Sequence, residues 1–572
     1  MQKLPLNIKL EELIIMKNQR INFIFKSLFY ILIFAGPFLI YLPLIDKDPF
    51  LNRDDFDITS PLRTVFSFDA YQAKLINNEI LDFQPIRDFT YFIDIYFSRE
   101  FGISTFHASN YIYFCILTLL IYFFLAGVTK NSLISMFVSL LISVHPVTVG
   151  SVAWISGRKH ILSALFLFLA LNFALWLGQS KHKILMTLGC WVSAIFSFFS
   201  HPIHLLTNMT STILVKQSRW KFALGFLLIF SALGAYQLHN FKHEKRIDNF
   251  PFRISNVFEN LGLMAAKSTG FHTYITTMQK SSFSYIPGLL MILTIFGLLF
   301  IKSSRPTGSR VNLVCIFSGL ILLPVLTSSR FYTMDTYVLI PSTIFFGLTL
   351  WVFYSVHKKL TLTLMLLLYP AFYINSSKLA KTWLSDLDLW GHAFVTAPTP
   401  YSALYLANFN QYQRPETALQ LLLKYPITKD QFKFHPEHEI NLFHYILGRN
   451  LYYSTRYSAQ SKQEIIAKFE KYNRWAAFFS ANLYLKQNNC QAADIVIKPF
   501  ITNTNEFEWY SIEIVPLDSV CEHFYKFELN IKNTTDSSCL KLKNKIISFY
   551  SSKCTKQKTP SNERGFLMYI KE

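Results

Sequence analysis

The chain has 572 residues, 51% of them hydrophobic and only 16% charged, and its mean hydropathy is +0.27. Apolar runs of about 17 residues recur, which a soluble core does not need and a bilayer does. The formal charge of +20 does not mark a nucleic-acid binder, because the basic residues fall mostly in short loops between apolar runs, the positive-inside pattern of a polytopic membrane protein.

Residues 1–27 are polar and basic, and Lys17, Arg20 and Lys26 place this segment in the cytoplasm ahead of a first span from Leu28 to Ile45. That run is longer than a signal-peptide core and no small-residue cleavage site follows it, so it is expected to stay as a span. A long outer loop, 47–108, comes next. Two amphipathic helices are expected in it, Leu62–Ile76 and the aromatic-rich Ile86–Phe97, the latter lying along the membrane surface. Spans follow at about 109–127, 133–145 and 160–177, with Lys130 inside and His145–Leu162 (HPVTVGSVAWISGRKHIL) as an outer loop. In that loop Pro146 and Gly150 break helical regularity, and Arg158, Lys159 and His160 gather at the mouth of the next span. Cations beside a bilayer are ordinarily interfacial anchors.

Further apolar runs lie at about 184–200, 203–215, 222–237, 286–301 and 312–327, then one ending at His357-Lys358-Lys359 and one at about 360–374. Lysine and arginine favour every loop assigned to the cytoplasm. The expected fold is therefore all-α: a transmembrane helical bundle of about eleven spans over 28–374, with its N-terminus inside, and a soluble extracytoplasmic helical domain over 375–572. In that domain Ala403-Leu-Tyr-Leu-Ala-Asn with Ala418 and Pro426, and Phe478-Phe-Ser-Ala-Asn-Leu-Tyr with Ala493 and Pro499, form two degenerate two-helix repeats. Cysteine divides along the same boundary. Cys115, Cys190 and Cys315 fall in apolar spans and behave as small hydrophobes, whereas Cys490, Cys521, Cys539 and Cys554 lie in the outer domain, where an even count allows up to two disulfides of unassigned pairing.

The stretch VAWISGRK at 152–159, with His145-Pro146 before it, resembles the signature of the TMTC-type membrane mannosyltransferases. These belong to the GT-C class of polyprenyl-phosphate-sugar-dependent glycosyltransferases with C-terminal tetratricopeptide-like (TPR) repeats. The stretch from Ser376 to Phe409 is similar to that family's junction between last span and repeats, and the resemblance covers about 30–430. It implies a GT-C-like bundle, a polyprenyl-phosphate-linked donor carrying mannose or another hexose, and a hydroxyl acceptor on an extracytoplasmic protein or glycan.

The first outer loop carries Asn52-Arg53-Asp54-Asp55-Phe56-Asp57. Adjacent acids just past a span are ordinarily a solvated loop or a helix cap. The family has an acidic pair in this loop, and the resemblance implies that Asp55, or else Asp54, is the base. An attacking hydroxyl must lose its proton, and one carboxylate suffices where the leaving group is a phosphate that needs no protonation; direct displacement inverts the anomeric centre. Fixed positive charge must meet the leaving phosphate, and Arg158 and Lys159 are the candidates, followed by Arg330 and Arg87. Asp335 and His145 are further candidates for the site. The chain departs from the family where Thr148 and Gly150 replace polar and acidic positions, and where arginines are missing from Phe83-Gln84-Pro85-Ile86 and from 335–341. No cofactor motif is present. A divalent metal is left open, although His145, His160, His201 and His204 lack standard ligand spacing. The lost charges keep a second reading alive, a non-catalytic membrane scaffold that binds proteins through its outer repeats; a secondary transporter is the third.

Overall fold

The computed structural model describes residues 27–45, 65–76, 84–177, 180–202, 356–396, 398–427, 437–467 and 474–501, with isolated positions between them, among them Asp55, Asn208 and 267–270. Every regular element among these residues is helical. The chain divides into two compact units, Met1–Thr396 and Ala397–Glu572.

In the first unit, α1 (Ser27–Ile45) precedes two helices of the segment expected as the first loop, α2 (Phe68–Ile76) and α3 (Pro85–Phe101). Then come α4 (Phe106–Thr129), α5 (Ser132–Ser143), α6 (Pro146–Ala153), a 3₁₀ turn (Ile155–Gly157), α7 (Arg158–Leu177) and α8 (Lys183–Ser200). The unit closes with α9 (Lys358–Lys381) and α10 (Asp386–Thr396). Among the described residues five helices are long and apolar enough to cross a membrane: α1, α4, the 3₁₀ turn with α7, α8 and α9. The count is six if α5 and α6, bent by 55° at their junction, form one broken span. This is the architecture of a polytopic membrane protein. The runs expected at about 203–215, 286–301 and 312–327 lie wholly or mostly outside the described residues, and the run at 222–237 and the tenth lie only partly within them.

Local sequence explains the joints. Lys130 adopts a left-handed φ of 55° to end α4, and Asn131 then caps α5 by accepting hydrogen bonds from the amides of Leu133 and Ile134. Packing between the spans uses small and amide side chains, as expected where lipid offers no hydrophobic drive. The Ser163 hydroxyl donates to the Ser197 carbonyl at 2.9 Å and Ser197 returns the bond at 2.8 Å, tying α7 to α8. Asn172 donates to the Leu120 carbonyl at 2.9 Å and ties α7 to α4.

Two differences from the sequence reading stand out. His145–Leu162 is not a loop. It is α6, a tight turn and the first turn of α7, and every residue in it is buried. Proline at the first helical position, with His145 as its cap, restarts a helix rather than ending one. Gly150 sits inside α6 without breaking it. The boundary expected at 374/375 falls inside α9, which continues because Ser376 donates to the Val144 carbonyl at 2.7 Å while Leu379, Ala380 and Trp383 join the same core as Phe168 and Trp154.

The second unit stacks three helix pairs: α11 (Pro400–Asn410) with α12 (Pro415–Lys424), α13 (Glu437–Tyr453) with α14 (Ala459–Ala467), and α15 (Arg474–Lys486) with α16 (Cys490–Ile501). A capping box of Thr399 and Ser402, with Pro400 behind it, starts α11. Leu404, Leu419, Leu442, Ile446, Phe479 and Leu483 belong to one core. Cys490 and Cys539 form a disulfide; Cys521 and Cys554, like Cys315, lie outside the described residues. Cys115 and Cys190 are free and buried.

Candidate functional site

Helix α3 is amphipathic in an unexpected sense. Its buried residues are Arg87, Asp88, Thr90, Tyr91, Asp94 and Ile95, while Phe89, Tyr96, Phe97 and Phe101 are exposed. Pro85 opens it and Gly102, at φ 66°, closes it with an amide bond to the Ser98 carbonyl. An aromatic face outward and a charged face inward suit a helix set against lipid on one side and a polar protein interior on the other.

The inward face meets the end of α6. A helix leaves its last carbonyls without intrahelical partners, and here side chains supply them. Asn110 Nδ2 reaches the carbonyls of Val152 and Trp154 at 3.2 and 3.1 Å. His107 Nε2 lies 3.0 Å from the Ala153 carbonyl, and the Tyr91 hydroxyl donates to the Ile155 carbonyl at 2.7 Å. Burial pushes the Tyr91 phenol above its ordinary range; Arg158 and Arg87 pull it back, and Asp55 and Asp88 push it further. It therefore stays a neutral donor at physiological pH.

Arg158 opens α7 within this cluster and every nitrogen of its guanidinium is engaged. Nε donates to Asn110 Oδ1 at 2.6 Å, one terminal nitrogen bonds Thr90 Oγ1 at 3.2 Å and Asp94 Oδ2 at 2.5 Å, and the other bonds the Phe106 carbonyl at 2.8 Å. Its flat face lies 4.4 Å from the Tyr91 ring centroid. Asp94 is held in turn by the hydroxyls of Thr105 and Ser109, at 2.9 and 2.6 Å. Arg87 is paired with Asp88 Oδ1 at 2.7 Å, both side chains fully buried.

Asp55 comes from 101 residues away to the same turn. Its Oδ1 accepts from the Ser156 amide at 2.9 Å and from the Ser156 hydroxyl at 2.5 Å. The carboxylate is fully buried, and its backbone carbonyl accepts from Thr59 at 2.6 Å. Lys159 follows Arg158 and is 6% exposed. Among the described residues it has no hydrogen-bond or ion-pair partner; its ammonium lies 5.9 Å from the ring centroid of Trp154, which stacks on Trp383.

Of the residues singled out in the sequence, Asp55, Arg87, Arg158 and Lys159 lie in this one buried neighbourhood. Asp54, Arg330 and Asp335 lie outside the described residues. His145 is instead a helix cap: its Nδ1 accepts from the Val147 amide at 3.1 Å, so Nε2 carries the proton and donates to the Ser268 carbonyl at 3.1 Å. His160 lies against His201, ring centroids 4.7 Å apart, while His204 lies outside the described residues. Among the described residues no three His, Cys, Asp or Glu side chains gather as metal ligands. The sequence reading missed Asp88, Tyr91, Asp94, Asn110 and Ser156. A signal existed in α3, where Arg87, Tyr91 and Asp94 recur at helical spacing inside an otherwise aromatic segment. Comparison with protein-family models, curated proteins and solved structures gives no match.

Proposed function

We propose that the chain is a GT-C-type membrane glycosyltransferase that moves a hexose such as mannose from a polyprenyl phosphate to a hydroxyl of an extracytoplasmic protein or glycan. In this reading the bundle has about eleven spans, the N-terminus is cytoplasmic and the second unit is an extracytoplasmic TPR-like array. The observation that carries the reading is the bond between Asp55 and Ser156. The acidic loop and the VAWISGRK stretch, the two segments on which the family resemblance places its chemistry, meet at one buried point.

Asp55 is the base. Ser156 fixes one carboxylate oxygen through two hydrogen bonds and so sets the plane of the group. The acceptor hydroxyl gives up its proton to the carboxylate as it attacks the anomeric carbon, and the sugar–phosphate bond breaks with inversion. Lys159 receives the growing charge on the leaving lipid phosphate. Arg158 and Arg87, candidates on sequence grounds, are already committed to Asp94 and Asp88. The test is transfer from labelled polyprenyl-phosphate sugars by the purified, reconstituted chain. Asp55→Asn keeps the bonds to Ser156 and removes basicity, so the rate falls by about 100- to 10,000-fold. Lys159→Met raises the donor KM.

One observation favours the second reading, a non-catalytic scaffold. The charges of α3 and Arg158 pair with one another, as they do in a purely structural buried network. A wild type silent across a panel of donors and acceptors, with the second unit still binding proteins, decides for the scaffold.

A further inference from the structure

The second unit carries a strip of alternating rings and cations that none of the chemistry above uses. Tyr412 follows α11. Arg449, Tyr452 and Tyr453 stand at the end of α13, and Lys486 ends α15. The Arg449 guanidinium lies 4.2 Å from the Tyr412 centroid and 5.6 Å from that of Tyr453. Tyr453 packs edge-on against Tyr452 at 5.1 Å, and the Lys486 ammonium sits 3.6 Å over the Tyr452 ring. The strip thus crosses the same ends of the first helices in three successive pairs, which makes it a line rather than a point. Tyr412 is 56% exposed and Tyr453 44%, and Lys486 is exposed as well.

Helix C-termini attract cations on their own account, and Lys462 serves that purpose, donating to the Ser454 carbonyl at 2.5 Å. Capping does not explain Arg449, and Lys486, although it lies in the last turn of α15, sits over the Tyr452 ring. Arg449 sits a turn before the end of its helix, held flat between rings by a bond to the Gln411 carbonyl at 2.9 Å. Among the described residues neither Arg449 nor Lys486 has an acidic partner. Glu416, on α12, accepts from Ser454 and pairs with Arg456. Burial pulls the Lys462 and Lys486 ammonium groups below the ordinary lysine range, and for Lys462 the neighbouring Lys486 adds to the effect. Cations partly stripped of water and close to one another gain when an anion arrives.

We infer that this strip, from Tyr412 through Arg449 and Tyr453 to Lys486, is a docking surface for an extended acidic polypeptide. Its carboxylates meet Arg449 and Lys486, and its backbone and apolar side chains lie across the tyrosine rings. The inference stands apart from the transferase reading, since it concerns binding and needs no turnover.

The experiment uses the full-length chain in detergent and a fluorescein-labelled 12-residue peptide of alternating Glu and Ala, with a Lys/Ala peptide as control. Anisotropy shows binding of the acidic peptide that weakens with salt. The Arg449→Gln/Lys486→Gln variant, with unchanged circular dichroism, loses about tenfold in affinity, and Tyr412→Ala loses less. Equal binding of the Lys/Ala peptide, or an unchanged affinity in the double variant, overturns the inference. So does a double variant that loses binding to phosphatidylglycerol vesicles but keeps the peptide, which makes the strip a membrane contact. Tight binding that appears only once Glu506, Glu508, Glu513, Asp518, Glu522 and Glu528 are changed to Gln also overturns it, by assigning the strip to the chain's own acidic run.

Discussion

Arg158 offers the sharpest test of how the first unit is held together. The substitution Arg158→Met keeps most of the length and apolar bulk of the side chain and removes its charge and all of its donors. Asp94 Oδ2 then loses its ion-pair partner, and Asn110 Oδ1, Thr90 Oγ1 and the Phe106 carbonyl each lose a donor. Arg158 is fully buried and Asp94 nearly so, so water does not replace the lost partner. Removing one member of such a buried pair costs about 3–5 kcal/mol. At about 2 °C per kcal/mol, the low end of the range because the unit is large, the apparent Tm falls by about 6–10 °C. The assay is thermal inactivation of the detergent-solubilised chain at a fixed scan rate, because unfolding of a membrane protein is read as a rate. Asp94→Leu alone leaves the arginine unpaired and costs a similar amount. The double variant Arg158→Met/Asp94→Leu replaces both charges with apolar groups and recovers the part of the loss that an unpaired charge causes, but not that of Asn110, Thr90 and the Phe106 carbonyl left without a donor. Single variants that shift the apparent Tm by less than about 1 °C, or a double variant as damaged as the sum of the singles, refute the buried clamp.

Gly157→Ala puts a Cβ 2.5 Å from the Ser151 carbonyl oxygen. Backbone must yield, so the expected cost is about 1–3 kcal/mol, with a lower apparent Tm and, as Ser156 shifts off Asp55, slower transfer; an unchanged Tm refutes the close approach. His444, 1% exposed in α13, is pulled by burial from 6.5 down to about 3. Its folded value lies below its unfolded one, so the unfolded chain binds the extra proton. The stability from neutral His444 is complete above about pH 7 and is lost as pH falls from 6.5 toward 3, by about 2 kcal/mol at pH 5. His444→Leu therefore flattens the fall in apparent Tm of the full chain between pH 7 and pH 5, and identical pH profiles for the two proteins refute the assignment.

Much of the helical plan was legible because long apolar runs have few alternatives in a bilayer. α1, α4, α7 and α8 fall close to the runs read from sequence. The second unit is helical, as read, over 400–424 and 474–501. The errors share a cause. Pro146 and Gly150 read as breaks in helical regularity, and Asn375 as the start of the soluble domain. In both places a hydrogen bond between distant segments is involved: Asn110 and Tyr91 serve the carbonyls at the end of α6, and Ser376 of α9 donates to the Val144 carbonyl. Sequence periodicity does not report such partners, because they come from distant segments. The polar face of α3 was hidden for a related reason: amphipathicity is ordinarily read with the apolar face inward, and here the phenylalanines face out.

The Arg158 clamp also bears on what a family resemblance can carry. If the arginine of VAWISGRK holds α3, α4 and α7 in place, a chain can keep that stretch for its fold while its chemistry changes, since a fold hosts more than one function. The chemistry then rests on the neighbours. Asp55 is anchored through one oxygen by Ser156, and Lys159 is a buried cation that the clamp leaves unused. A buried ammonium next to a ring is costly to keep without an anion, so the same lysine that a scaffold would gain by losing is the one a lipid phosphate needs. Lys159→Met therefore separates the two readings by sign. In a transferase it weakens donor binding without stabilising the fold by a comparable amount. In a scaffold it raises the apparent Tm and leaves polyprenyl-phosphate binding as absent as before.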